Sequence, residues 1–286
     1  MSKNTEEFQK IKIFSNKIRK NILDVAYKGG AERSHIGGAL SSADIVSTLY
    51  GDVMNLNINN PLDINRDRFI LSKGHACLVI YSALYEIGIL SKEQFFSFEK
   101  ENSILLGHPI INRDVGIEFS NGSLGMGLSL GVGVALSAKI KKKDYFSYVL
   151  IGDGECNEGS VWEAAMSGYK YKLNNLVAII DKNGFQQTGT TNDIMDMYNL
   201  EEKWKSFGWN TISVDGHDIN ELLIALNKKK ILESDKPTAL IANTTKGKGI
   251  SFIENNNAWH HNLLTKTQYE GAVSELGFDN DWSKKN

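Results

Sequence analysis

Phe8, Ile11, Ile13, Phe14, Ile18, Ile22 and Val25 recur at near-helical spacing among lysines and other polar residues. That periodicity predicts an amphipathic opening helix with one buried face. Further helices are predicted at Ser42–Met54, Leu78–Ile87 and Glu93–Glu101, and then at Ser160–Tyr171, Ile194–Phe207 and Ile219–Lys230. Between them lie short, uninterrupted apolar runs at Tyr148–Ile151, Leu176–Ile180, Thr211–Val214 and Ala239–Ala242. Runs that do not alternate with polar residues fit strands buried on both faces. Strands alternating with helices fit βαβ units. The pattern therefore predicts an α/β domain: one mostly parallel sheet with helices on both faces, over residues 1–277. Residues 278–286 read as a polar tail.

Composition narrows this picture only slightly. Hydrophobic residues make up 41% and charged residues 23% of 286 positions, ordinary values for a soluble globular chain. A formal net charge of −2 gives no global attraction to nucleic acid or to an anionic membrane, and neither is expected as a partner. The basic runs Lys139–Lys143 and Lys228–Lys230 read as solvated helix ends or loops. Cys77 and Cys156, far apart in sequence, suit a reducing cytoplasm and small buried positions rather than a disulfide framework. No stretch reaches the roughly 18 apolar residues of a membrane span, and the N-terminus carries no signal-peptide pattern.

The chemistry is concentrated at predicted strand ends, where open parallel sheets bind ligands. The run Tyr148–Ile151 leads into Gly152-Asp153-Gly154, followed by Glu155-Cys156-Asn157-Glu158-Gly159. Glycines on both sides of Asp153 allow a sharp turn and a close ligand approach. The next strand ends at Lys182-Asn183-Gly184, one helical crossover later. That spacing predicts Asp153 and Asn183 side by side at neighbouring strand ends. An aspartate, an asparagine amide oxygen, a backbone carbonyl and two phosphate oxygens would make an octahedral site for Mg²⁺ or Ca²⁺, and Mn²⁺ accepts the same donors.

Four histidines also fall in glycine-flanked loops: Ser34-His35-Ile36-Gly37-Gly38, Ser72-Lys73-Gly74-His75-Ala76, Gly107-His108-Pro109 and Trp259-His260-His261. The third precedes Asn121-Gly122-Ser123-Leu124-Gly125-Met126-Gly127, and the fourth follows Lys246-Gly247-Lys248-Gly249.

Taken together, from about Ile22 to Leu264, these segments resemble the N-terminal, pyrophosphate-binding domain of transketolase, with its motifs in the same order. The resemblance implies thiamine diphosphate as cofactor and ketol transfer between sugars or sugar phosphates as activity. It implies Asp153, Asn183 and the Phe185 carbonyl as metal ligands. Gly122, Ser123, Leu124, Gly125, Gly152, Gly154, Glu158 and Lys246 are implied around the cofactor. Glu158 is similar to a glutamate reaching between two active sites. His35, His75, His108 and His260 are implied to line the substrate channel and the diphosphate. Among them, His35 and His260 would assist deprotonation of the substrate C3 hydroxyl, and His108 would hold the C1 hydroxyl. Two departures stand out: His35-Ile36-Gly37 replaces a common His-Pro-Gly, and His261 stands where a glycine is common. His217, in Asp215-Gly216-His217-Asp218, follows a strand and reads equally as a site residue or a turn stabiliser.

A whole transketolase adds a pyrimidine-binding domain and a C-terminal domain. The expectation is therefore the N-terminal subunit of a split enzyme. A C-terminal subunit carrying the pyrimidine domain would be its partner, in an α2β2 assembly, with a truncated chain as the competing account. Half of a 1-deoxyxylulose-phosphate synthase-like enzyme, a 2-oxoacid dehydrogenase α subunit, and a non-catalytic binding protein are the alternatives.

Overall fold

The computed structural model describes residues 2–29 and 34–278. In chain order the elements are α1 (Ser2–Lys28), α2 (Ile36–Ser41), α3 (Ala43–Thr48), β1 (Arg68–Leu71), α4 (Leu78–Glu86), α5 (Lys92–Phe95), α6 (Gly127–Ile140), β2 (Ser147–Gly152) and α7 (Gly159–Lys170). After these come β3 (Leu176–Lys182), α8 (Thr191–Met195), α9 (Leu200–Ser206), β4 (Asn210–Asp215), α10 (Ile219–Ala225), α11 (Lys228–Ile231), β5 (Thr238–Asn243) and α12 (Lys266–Glu275).

The five strands form one sheet in the order β1-β2-β3-β5-β4, with every pairing parallel. Alternate residues of each central strand feed two different cores, because side chains point to opposite faces with period two. Tyr148, Leu150, Val177, Ile179 and Leu240 join α1 to α4 and α12 on one face. Val149, Ile151, Ala178, Ile180 and Ile241 join α6, α7 and α9 on the other. Helix α6 lies close over β2. A Cβ at Gly131 would collide with Val149 Cγ2, so only glycine permits that approach.

The expected parallel α/β fold is observed, with corrections to its elements. Helix α1 buries Ile11, Ile18, Ile22 and Val25 as the periodicity predicts, but Ile13 is exposed. The helix expected at Glu93–Glu101 stops at Phe95, and Glu99 lies in a left-handed turn. The helix expected at Ile194–Phe207 is two short helices, divided where Tyr198 adopts a positive φ and Asn199 caps α9. Asn227 likewise caps α11 and splits the helix expected at Ile219–Lys230. Helix α3 continues into a π-helical turn over Leu49–Val53 rather than remaining α-helical to Met54. Helices α2, α6 and α12 were not anticipated. Lys228 is not a plain solvated lysine, because it pairs with buried Asp67 at 2.5 Å. Phe278, expected in the tail, packs partly buried against the first core, and the rest of that tail lies outside the described residues. Cys77 and Cys156 are buried and free, as expected. Among the described residues no helix is long and apolar enough to cross a membrane.

Candidate active site

The carboxyl ends of β1, β2, β3 and β5 open onto one pocket of about 390 Å³. Gly152 of β2 stands in register with Asp181 of β3, which brings the two following turns together. The Gly184 amide donates to Asp153 Oδ2 at 2.7 Å, and the Gly154 amide donates to Oδ1 at 2.9 Å. Asn183 turns its amide nitrogen to Asp181 at 3.0 Å, while its Oδ1 accepts the Phe185 amide at 3.1 Å. Among the described residues no donor reaches the Phe185 carbonyl oxygen.

Beneath this turn lies a fully buried ion pair between Lys73 and Asp181. Asp181 also accepts from Ser41 at 2.6 Å and from Thr244. Burial opposes its charge, but Lys73 and these donors outweigh burial and hold its carboxyl below the usual range. Among the described residues Asp153 forms no ion pair, and the charge of Lys73 acts on it only weakly. Burial, and then the charge of Asp181, push its carboxyl up to about 6. A cation bound beside Asp153 would relieve both effects.

The wall facing this turn is made of imidazoles. The His35 ring lies 5.3 Å from His75, 6.0 Å from His108 and 5.4 Å from His260, centroid to centroid. His75 and His260 stack at 5.3 Å. Burial first, then neighbouring rings and lysines, hold His35 near about 4 and His260 near about 3, so both are neutral at pH 7. His75 is pushed well down by burial and then by Lys73. Lys246 bridges wall and floor. Its Nζ lies 2.8 Å from His260 Nδ1 and 2.9 Å from Asn257 Oδ1, and burial lowers it to about 8. A protonated Lys246 donating to Nδ1 leaves the His260 proton on Nε2.

Of the residues singled out in sequence, His35, His75, His108, His260, Gly122, Leu124, Gly152, Gly154, Glu158, Lys246, Asp153, Asn183 and Phe185 all line the pocket. Ser123 and Gly125 do not. Gly125 instead anchors its loop from behind, its amide donating to buried Glu155 Oε1 at 2.8 Å. His261 is exposed and stacks on His35 at 4.3 Å, so His260 is the member of the pair that lines the pocket. Lys73, Glu155, Asn157 and Gln186 line it too but were not singled out. Lys73 and Glu155 sat inside quoted motifs; Gln186 carried no signal. Asn157 Oδ1 and Gln186 Nε2 are buried there with no hydrogen-bond partner among the described residues.

A family model described as "Transketolase, thiamine diphosphate binding domain" matches residues 12–284. The chain belongs to the transketolase family. It carries that family's thiamine diphosphate-binding domain. An apulose-4-phosphate transketolase subunit from Phocaeicola vulgatus is 42% identical over 270 residues, covering 94% of this chain and 95% of that one. The 6-deoxy-6-sulfo-D-fructose transketolase subunit SqwG of a Clostridium species is 38% identical over 262 residues, 92% and 94% of the two chains. Human transketolase is 36% identical over 274 residues, but these are 95% of this chain and 42% of the human one. The transketolase structure from Leishmania mexicana superposes with a TM-score of 0.87 at 28% identity, over 94% of this chain and 41% of that one. This transketolase-family chain thus matches the two bacterial subunits over nearly their whole length and spans about two fifths of the single-chain enzymes.

Proposed function

We propose that this chain is the N-terminal subunit of a heteromeric transketolase. It holds thiamine diphosphate and a divalent metal, and it transfers a two-carbon ketol unit from a ketose or ketose phosphate to an aldose or aldose phosphate. The observation that carries this reading is the meeting of four histidine rings with the Asp153–Asn183 turn in one pocket, on a chain with the extent of the Phocaeicola transketolase subunit.

The donors present suit the group. One buried carboxylate, one oriented amide oxygen and one free carbonyl are hard oxygen ligands, the kind Mg²⁺ accepts alongside phosphate oxygens. Among the described residues no cluster of three or more His, Cys, Asp or Glu side chains could hold a metal, so phosphate oxygens would complete the shell. Gln186 Nε2 supplies a donor for a diphosphate. Lys246 Nζ supplies positive charge and can exchange its long 3.5 Å contact with the Gln186 carbonyl for a phosphate oxygen. Gly122, Leu124 and Glu158 border the space beside it. When bound, thiamine diphosphate supplies the nucleophilic carbon and the electron sink for carbon–carbon cleavage.

The chain's own side chains divide the remaining work. His260, with its proton on Nε2, donates a hydrogen bond to a substrate oxygen. His35, at the centre of the wall and neutral, is the group free to take the proton of the C3 hydroxyl. His75 and His108 orient hydroxyls from its two flanks. The contacts to the aminopyrimidine belong to a pyrimidine-domain partner, in an α2β2 assembly acting on cytoplasmic sugar phosphates of the pentose phosphate type.

The test is reconstitution. The purified chain is assayed for ketol transfer by itself and after addition of the pyrimidine-domain partner, with thiamine diphosphate and Mg²⁺. Transfer only in the mixture supports the reading. Robust transfer by the single chain refutes the split. Partner-dependent decarboxylation of a 2-oxoacid would establish the dehydrogenase-type alternative instead.

A further inference from the structure

His217 lies outside the pocket lining, yet it joins a buried network beneath the loop that delivers Lys246. We propose that His217, with Asp44 and Arg19, is a positioning residue that clamps the Thr245–Lys248 segment and thereby sets Lys246 against a bound diphosphate. This deepens the proposed function and rests on its reading of Lys246.

Asp44 and Arg19 pair at 2.5 Å with side chains 1% and 3% exposed. Ser15 donates to the same carboxylate at 2.5 Å. A buried ion pair of this kind roughly breaks even against apolar packing, so stability alone gives it little reason to exist. Its contacts supply another reason. Arg19 Nε donates to the Lys248 carbonyl at 3.0 Å. On the other side of Lys246, the Thr245 amide donates to His217 Nε2 at 2.8 Å. His217 Nδ1 lies 2.8 Å from Asp44 Oδ2. Both grips therefore lead back to one carboxylate, and Lys246 sits between them. The Gly247 amide adds a third hold, on the Gly37 carbonyl at 3.0 Å. That contact ties the segment to the first turn of α2, which His35 immediately precedes.

The ring's protonation follows from its partners. An amide N–H occupies Nε2, so that nitrogen must be bare, and the proton stands on Nδ1 facing the carboxylate. A doubly protonated ring would set N–H against N–H at Thr245.

Two substitutions separate the two ends of this ring. His217→Asn places an amide at the Nδ1 position and keeps the Asp44 contact but loses the acceptor for Thr245. His217→Gln reaches the Nε2 position and keeps that acceptor. Amide exchange is followed over residues 245–248 in the full chain, and thiamine diphosphate with Mg²⁺ is titrated calorimetrically into its complex with the pyrimidine-domain partner. His217→Asn is expected to speed exchange there and to weaken cofactor binding about tenfold, the scale of one lost hydrogen bond. kcat at saturating cofactor should stay within about twofold. His217→Gln, which keeps the acceptor for Thr245 but gives up the Asp44 contact, should fall between His217→Asn and the unaltered protein in both exchange and affinity. In the unaltered chain, ¹⁵N spectra should show the Nδ1–H tautomer.

An Nε2–H tautomer overturns the clamp. So do identical behaviour of the two variants, and faster exchange with unchanged affinity. An unaltered complex that binds no thiamine diphosphate sinks the proposed function instead, and the exchange pattern then decides the clamp by itself.

Discussion

The Asp153–Asn183 turn and the histidine wall face each other across one pocket but are built in different ways. The turn comes from a single βαβ unit, and neighbouring backbone amides at Gly154 and Gly184 fix its carboxylate. The wall is gathered from four places: before α2, after β1, before α6 and after β5. Its rings are placed by contacts with one another, stacked between His75 and His260 and edge-on between His35 and His260, and by Lys246. A locally built site should respond to substitution as a binding site. An assembled wall should respond through turnover if its hydrogen bonds form with the reacting substrate, as proposed.

Substitutions at the wall should give the largest effect. His260→Ala in the reconstituted complex should lower kcat by about 10²- to 10³-fold and leave cofactor affinity within about threefold. Steady-state kinetics alongside cofactor titration would show this, and an equal loss in both would dissolve the contrast. Lys73→Met should come next. It strands buried Asp181 without its cation, and denaturant unfolding should show about 3–5 kcal/mol less stability. Glu155→Gln should be milder. Its carboxylate accepts from Ser72 and from the Gly125 and Gly152 amides, tying the glycine loop to the turn. Cofactor affinity should fall about tenfold with kcat little changed.

Acid sensitivity should be the smallest effect. An unfolded histidine takes a proton near about 6.5, whereas folded His35 and His260 resist until about 4 and about 3. The unfolded chain therefore binds more protons in that window. The contribution is fully present above pH 6.5 and is lost as pH falls towards 4 and then 3. Urea midpoints at pH 7.5 and 5 should show a smaller drop for His35→Gln than for the unaltered chain.

The same contrast explains what the sequence made legible. Strands buried on both faces leave unbroken apolar runs, so β2, β3 and β5 were found to within a residue or two at each end. The spacing from Asp153 to Asn183 is set by one crossover, and the turn could be placed from residues alone. Nothing local relates His35 to His260, so the wall was legible only through resemblance to a family. Helix α6 was missed because Gly127, Gly131 and Gly133 weaken a helical pattern, whereas Gly127 and Gly131 are there for close packing against Ser72 and Val149. Helix α12 was missed although Thr265 and Gln268 form a capping box that the sequence displays. Lys73 and Glu155 were passed over because a buried charge announces itself only through its partners, and these lie 108 and 83 residues away.

The central claim, that this chain holds the diphosphate and its metal at the Asp153 turn, meets its most direct test in one titration. Thiamine diphosphate is titrated into the partnered complex with and without Mg²⁺, for the unaltered chain and for Asp153→Ala. The predicted result is Mg²⁺-dependent binding that the substitution abolishes, a loss of at least about a hundredfold. Unchanged affinity in Asp153→Ala would contradict the account.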